Sequence, residues 1–198
     1  KIGSFFANRA LSLYSRSEQM TTIPIPSRQA GFVVTVLAVA VLLAKGTWFS
    51  ASAVIPALTA EWALNDTVRA WLTMSVQLGF AFGAFISAVL GLADRWPTHR
   101  FFGGSALLAA LCTALIAWWA NGPLLALPLR FLTGMALAGV YPVGMKIMAT
   151  WTQRGRGLAI GVLVGALTVG SASPHLLNVM GGIDDWRRTL LMAAGLAV

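Results

Sequence analysis

The chain has 198 residues, 58% of them hydrophobic and only 10% charged, with a formal net charge of +8 and a mean hydropathy of +0.77. Soluble domains carry about a quarter charged residues, so this composition excludes a water-soluble globule, and it equally excludes a disordered or low-complexity chain. The positive charges sit in short gaps between apolar runs rather than on one polar face, which points to membrane topology and not to a nucleic-acid partner. The single Cys112 excludes an intramolecular disulfide framework and a Cys-based zinc site.

Residues 1–29 differ in kind from the rest and read as a cytoplasmic N-terminal segment. Thr21–Gln29 is polar, contains Pro24 and Pro26, and reads as a linker. Met20 would serve as a start codon, so residues 1–19 are either an upstream extension or part of the working protein. A bilayer crossing takes about 20 apolar residues. Five runs in 30–198 meet that length: Gly31–Leu58, Val68–Leu92, Phe101–Ala120, Leu124–Trp151 and Gly157–Val179. A sixth spans 186–198 and stops inside its apolar stretch; with Lys1 rather than Met at the start, the chain reads as a fragment. The first run is too long for a signal peptide, and four more follow it.

Lys1, Arg9, Arg16, Arg28, Arg95, Arg100, Arg154 and Arg156 fall on one side of these spans. The other side holds Arg69, Arg187 and Arg188, with the acids Glu61, Asp66, Asp184 and Asp185. Positive charge marks the inside, so the N-terminus is expected in the cytoplasm, most simply across a bacterial inner membrane. Trp62, Trp71, Trp118, Trp119 and Trp186 then anchor the outer interface, and Trp96, Phe101, Phe102 and Trp151 the inner one. Asn65-Asp66-Thr67 has the form of a glycosylation sequon, but a short loop at the bilayer gives it no weight.

Membrane helices associate through close backbone approach. Gly79, Gly83, Ser87 and Gly91 recur every fourth residue in span two, as do Gly157, Gly161 and Gly165 in span five, and both rows are expected to pack. Pro56 and Pro142 lie late in spans one and four and are expected to loosen them. Irregular helices at corresponding places in two three-helix units suit a 3+3 inverted repeat.

The gap after span two reads Leu90-Gly91-Leu92-Ala93-Asp94-Arg95-Trp96-Pro97-Thr98-His99-Arg100. It resembles the G-x-L-A-D-R-x-G-R-K/R loop of the major facilitator superfamily, with Leu92, Ala93, Asp94 and Arg95 in register and Pro97 and Thr98 as departures. Arg130-Phe131-Leu132-Thr133-Gly134 is similar to the family's R-x-x-x-G pattern in helix four. Gly161-x-x-x-Gly165 half-matches the helix-five antiporter motif, Ala166 standing where Pro is expected. Trp48–Ala53 and Gly139–Pro142 are similar to runs in the nitrate/nitrite-type and related anion permeases, although Gln77 stands where that branch has an Arg in helix two. The resemblance covers residues 28–198. It implies an all-α N-terminal six-helix bundle whose last helix is incomplete here, a C-terminal six-helix partner half, a central cavity and alternating access. It also implies that Asp94 and Arg95 form the inner gate.

Ions inside a bilayer are functional candidates by default. Lys45 lies near the midplane of span one and Arg130 in the outer half of span four, while Lys146 is within snorkelling reach of water. Lys146 therefore reads as a topology residue. Lys45, Phe49 and Ser52 share a helix face bordered by Trp48, and Arg130, Gly134 and Tyr141 share another. A cation, an aromatic ring and a hydroxyl on one face suit an anionic or polar organic solute. All six acids fall in gaps or at span ends, so Lys45 and Arg130 are expected to line one water-filled cavity and to favour an anion. Substrate-path candidates are Lys45, Trp48, Phe49, Ser52, Gln77, Arg130 and Tyr141. His175 beside Pro174 reads as a packing residue before a proton carrier.

The expected activity is secondary transport of a small polar or anionic solute, with a coupling ion as a second small partner and lipid as the solvent. A drug or metabolite efflux permease is the nearest alternative, and a transport-dead membrane sensor on the same fold is an alternative of another class. No paired carboxylates, ligand cluster or nucleophilic set converges at one depth, so an enzyme is not expected, nor is a metal or cofactor. A phosphate loop for ATP is absent from the sequence as well. Residues 20–198 alone are expected not to transport.

Overall fold

A computed structural model describes residues 27–152, 156–181 and 185–198. Of the expected N-terminal segment 1–29, residues 1–26, with Lys1, Arg9, Arg16, Glu18, Met20, Pro24 and Pro26, lie outside the described residues, as do Arg154 and Asp184, while residues 27–29, expected as the end of the linker, open the first helix. The side chains of Arg28, Arg156 and His175 lie outside them too.

Helix α1 is Ser27–Trp62, 36 residues long, and it passes Pro56 without a break. Its end is a turn in which Leu64 N–H donates to the Thr59 carbonyl at 3.3 Å, with Ala63 in the left-handed region at φ 48°. Helix α2, Asp66–Leu90, starts where the Asn65 side chain accepts from the Val68 N–H at 2.9 Å, so a cap is what Asn65 supplies. The one-turn α3 is Leu92–Arg95. Helix α4 is Thr98–Trp119 and α5 is Pro123–Leu137. Helices α6, α7 and α8 are Tyr141–Trp151, Arg156–Gly181 and Trp186–Leu196. Among the described residues, four segments are long and apolar enough to cross a membrane: Gly31–Trp62, Asp66–Leu90, Thr98–Trp119 and Pro123–Trp151.

The fourth of these is α5 and α6 in series, not the single helix expected over Leu124–Trp151. Pro142 has no N–H to give the carbonyl four residues back, at Ala138, and its ring crowds that carbonyl. The chain tightens there: Gly139 N–H bonds the Ala136 carbonyl at 2.9 Å and Val140 N–H the Leu137 carbonyl at 3.0 Å. Helix α6 restarts when Gly144 N–H reaches the Val140 carbonyl at 2.8 Å.

Close packing follows part of the glycine pattern. A Cβ at Gly79 would strike the Phe131 backbone, one at Gly83 would come within 2.8 Å of Met135 Cα, and one at Gly134 would strike the Val76 carbonyl. Helices α2 and α5 are thus pressed together at the backbone. Gly91 does not pack. At φ 59° it turns the chain from α2 into α3, which explains a glycine there without any neighbour. Gly157, Gly161 and Gly165 do not pack against the described residues either, since a Cβ at each meets nothing within 4 Å. Helix α7 turns its other face, with Ala159, Leu163 and Gly170, to the bundle. Gly170 makes the approach to α1, 2.9 Å from the Leu42 carbonyl and 3.2 Å from Lys45 Cβ for an added Cβ.

Two apolar clusters hold the ends of the bundle. One gathers Leu37, Val41, Leu137, Val140, Met148 and Leu163, the other Val54, Leu58, Leu72, Ile116, Trp186 and Leu190. The polar features that matter for function lie between them and at the rims.

Candidate functional site

Lys45 is partly buried on α1, and its ammonium is ringed by aromatic side chains. Nζ lies 3.8 Å from the Trp48 ring centroid, 5.7 Å from Phe49 and 5.8 Å from Phe80. Trp48 and Phe80 meet edge to face at 5.2 Å, and Trp48 and Phe49 are 6.3 Å apart. Helix periodicity puts Trp48 and Phe49 one turn beyond Lys45, while Phe80 comes from α2. Aromatic faces carry negative potential and so steady the cation without neutralising it. Among the described residues no carboxylate pairs with Lys45. One unpaired positive charge set among flat apolar rings has the chemistry that complements an aromatic anion.

Arg130 lies elsewhere than expected. It is 1% exposed, so it does not share an open cavity with Lys45. Its Nη1 donates to the Thr47 carbonyl at 2.9 Å and to the Trp48 carbonyl at 3.4 Å. Nη2 donates to Ser50 Oγ at 3.2 Å. Those fixed oxygens replace the water that the guanidinium gives up on burial, which makes α1 the better host than a wet cavity. Tyr141, like Trp48 and Phe80, packs on the apolar cluster of Leu37, Val41 and Leu137. Ser52 is half-buried, and Gln77 is exposed on α2 one turn before Phe80.

At the loop between α2 and α4, Asp94 forms an ion pair with Lys146 of α6. Lys146 Nζ also donates to the Ala93 carbonyl at 2.9 Å. Lys146 is thereby a cross-link from α3 to α6, where snorkelling alone was expected. Arg95 beside it is exposed. At the opposite rim, Glu61 accepts from the Trp186 indole and from Arg187 at 3.4 Å, tying the end of α1 to the start of α8. Trp62 stacks edge-on against Trp186 at 5.4 Å.

Phe80, Gly170 and Lys146 were missed as partners in the sequence. Phe80 carried one signal, its place between Gly79 and Gly83 in the closely packed row. Nothing in the sequence told which helix Gly170 or Lys146 would meet.

The family model of the Major Facilitator Superfamily matches residues 37–198. A niacin transporter, NiaP, of Acinetobacter baylyi is 31% identical over 132 residues, 62% of this chain and 29% of the relative. A 4-hydroxybenzoate transporter, PcaK, of Pseudomonas aeruginosa is 26% identical over 144 residues, 66% of this chain and 32% of the relative. The chain therefore spans about a third of the length of these curated relatives. With the loop motif, the helix-four pattern and an all-helical fold of membrane-crossing length, the match leads to one conclusion: the chain is an integral membrane protein that belongs to the major facilitator superfamily.

Proposed function

We propose that the protein is a secondary transporter of small aromatic carboxylates, working by alternating access, with Lys45 as the group that meets the carboxylate. The observation that carries this reading is the Lys45 ammonium set among Trp48, Phe49 and Phe80. The ammonium supplies a charge-assisted hydrogen bond, and the rings supply stacking surface. The relatives lend support, since niacin and 4-hydroxybenzoate each join a carboxylate to an aromatic ring. Asp94 and Arg95 serve as the inner gate in this reading, with the N-terminus in the cytoplasm of a bacterial cell, a second six-helix half opposite and an ion to drive transport. The asymmetry of positive charge supports that orientation.

The test uses the full-length protein in nanodiscs with labelled benzoate. Benzoate is expected to bind better than benzamide, which has the ring without the charge. Lys45→Gln is expected to weaken benzoate about tenfold or more, the worth of one hydrogen bond to a charged group. Equal binding of benzoate and benzamide, unchanged by Lys45→Gln, would sink the reading.

A further inference from the structure

At the end of the bundle where α1 begins, an open cavity of about 440 Å³ is lined by Gln29, Phe32 and Val33 of α1 and by Trp151, the last residue of α6. It sits where two spans end, since the first opens at Gly31 and the fourth closes at Trp151, so its level is the boundary between lipid and water. Its chemistry is layered. Gln29 brings an exposed amide and Trp151, 38% exposed, an indole; both side chains carry N–H donors. Phe32, 71% exposed, and Val33 add an apolar wall. Phe32, Val36 and Val39 are all exposed and follow one another at helical spacing, so an apolar strip leads from the cavity along α1 into the bilayer.

Positive charge is placed at the same level. Helices α1 and α7 run in parallel: Ala159 and Leu163 share an apolar cluster with Leu37 and Val41, and Gly170 further along approaches Leu42 and Lys45. Arg156, the first residue of α7, stands as far before Gly170 as Arg28, the second residue of α1, stands before Leu42. Each helix rises about 1.5 Å per residue, so the backbone sets both arginine positions at the height of Gln29. No described acid lines the cavity, and Asp94, which meets α6 at Lys146, is paired there.

We propose that this cavity holds the headgroup of an anionic phospholipid, with its acyl chains along Phe32, Val36 and Val39. Arginines at a membrane surface attract anionic lipid, and tryptophan settles at headgroup level. Donors at the rim and an apolar strip running inward from them repeat the order of an amphiphile. A small soluble anion would use the donors and leave the strip bare. The headgroup bridges the start of α1 and the end of α6, the part of span four that lies beyond the Pro142 break. The site is separate from Lys45 and does not depend on which solute is carried.

The test takes the full-length protein in detergent, stripped of lipid, and titrates it with phosphatidylglycerol and with phosphatidylcholine of the same acyl chains. Bound lipid is counted by native mass spectrometry. Phosphatidylglycerol is expected to bind about fivefold more tightly or better, the worth of one arginine near an anionic headgroup. Arg28→Gln and Arg156→Gln are each expected to lower its affinity about fivefold and to leave phosphatidylcholine as it was. Gln29→Glu replaces an exposed side chain by one of the same shape, puts an acid in the cavity, and is expected to erase the preference. Arg188→Gln, at the opposite end of the bundle on α8, is the control and should change neither lipid. Equal affinity for the two lipids overturns the proposal. So does an equal loss from Arg188→Gln and Arg28→Gln, which would trace the preference to net charge and not to this cavity. Displacement of the lipid by glycerol phosphate at comparable concentration would mark a site for a soluble phosphate ester. Phosphatidylglycerol binding that appears only after removal of residues 1–26 would make that segment the occupant. Either of these results also overturns it.

Discussion

Ala63 holds a conformation that suits it poorly. At φ 48° its Cβ crowds the following carbonyl, a position that helices usually give to glycine. Ala63→Gly is expected to raise stability by about 0.5–1 kcal/mol, read as a higher midpoint of unfolding in detergent. Lys45 shows a different economy of design. Its charge is steadied by ring faces, 3.8 Å away at the nearest, and not cancelled by an acid among the described residues, which is what the proposed anion site requires. Phe49 and Trp48 were readable beside Lys45 because they follow it at helical spacing. The third ring was not, because Phe80, 35 residues beyond Lys45 in the chain, arrives by packing between two helices, and no local pattern encodes that meeting.

Among the helices, α1 is the element on which most of the site depends, and it is held from two sides. Arg130 grips it from α5, and Gly170 lets α7 rest on the Leu42 backbone and the Lys45 Cβ. Gly170→Ala is expected to push α7 off that surface and to weaken benzoate binding severalfold. Gly104→Ala, where an added Cβ meets nothing within 4 Å, is the control and should leave binding as it is. Equal binding by both variants would show that α7 does not shape the proposed site. The spans were legible as elements because length and apolarity are local properties, and so was the effect of Pro142, which acts on the carbonyl four residues back. The face that a span turns inward was not. Three glycines at regular spacing, Gly157, Gly161 and Gly165, look in the sequence just like Gly79 and Gly83, yet only the latter pair meets a helix among the described residues. Regular spacing makes a face smooth; a neighbour must still exist to use it.

For the molecule as a whole, the break in span four separates two fastenings. Helix α5 is bound to α1 through Arg130 and packed on α2 at Gly134, and α6 is tied by Lys146 to Ala93 and Asp94 at the loop. The ion pair is largely solvent-exposed, so it contributes little to stability, about 1 kcal/mol or less. Asp94→Asn is therefore expected to leave membrane expression and thermal stability nearly unchanged while lowering transport by the full-length protein severalfold. Transport at the normal rate would remove Asp94 from the proposed gate. Benzoate affinity measured on the same variant should hold, because no described contact of Asp94 reaches Lys45, Trp48, Phe49 or Phe80.

Arg130 also bears on how such a chain enters the bilayer at all. An arginine at the centre of an inserting helix costs about 2.5–3.5 kcal/mol when nothing receives it. Its acceptors, the Thr47 and Trp48 carbonyls and Ser50 Oγ, belong to the first span. Synthesis runs from the N-terminus, so those oxygens reach the membrane before the fourth span leaves the ribosome. The order of the helices in the gene is thus also an order of assembly, in which the earliest span prepares the place where the most awkward residue of a later one can be buried.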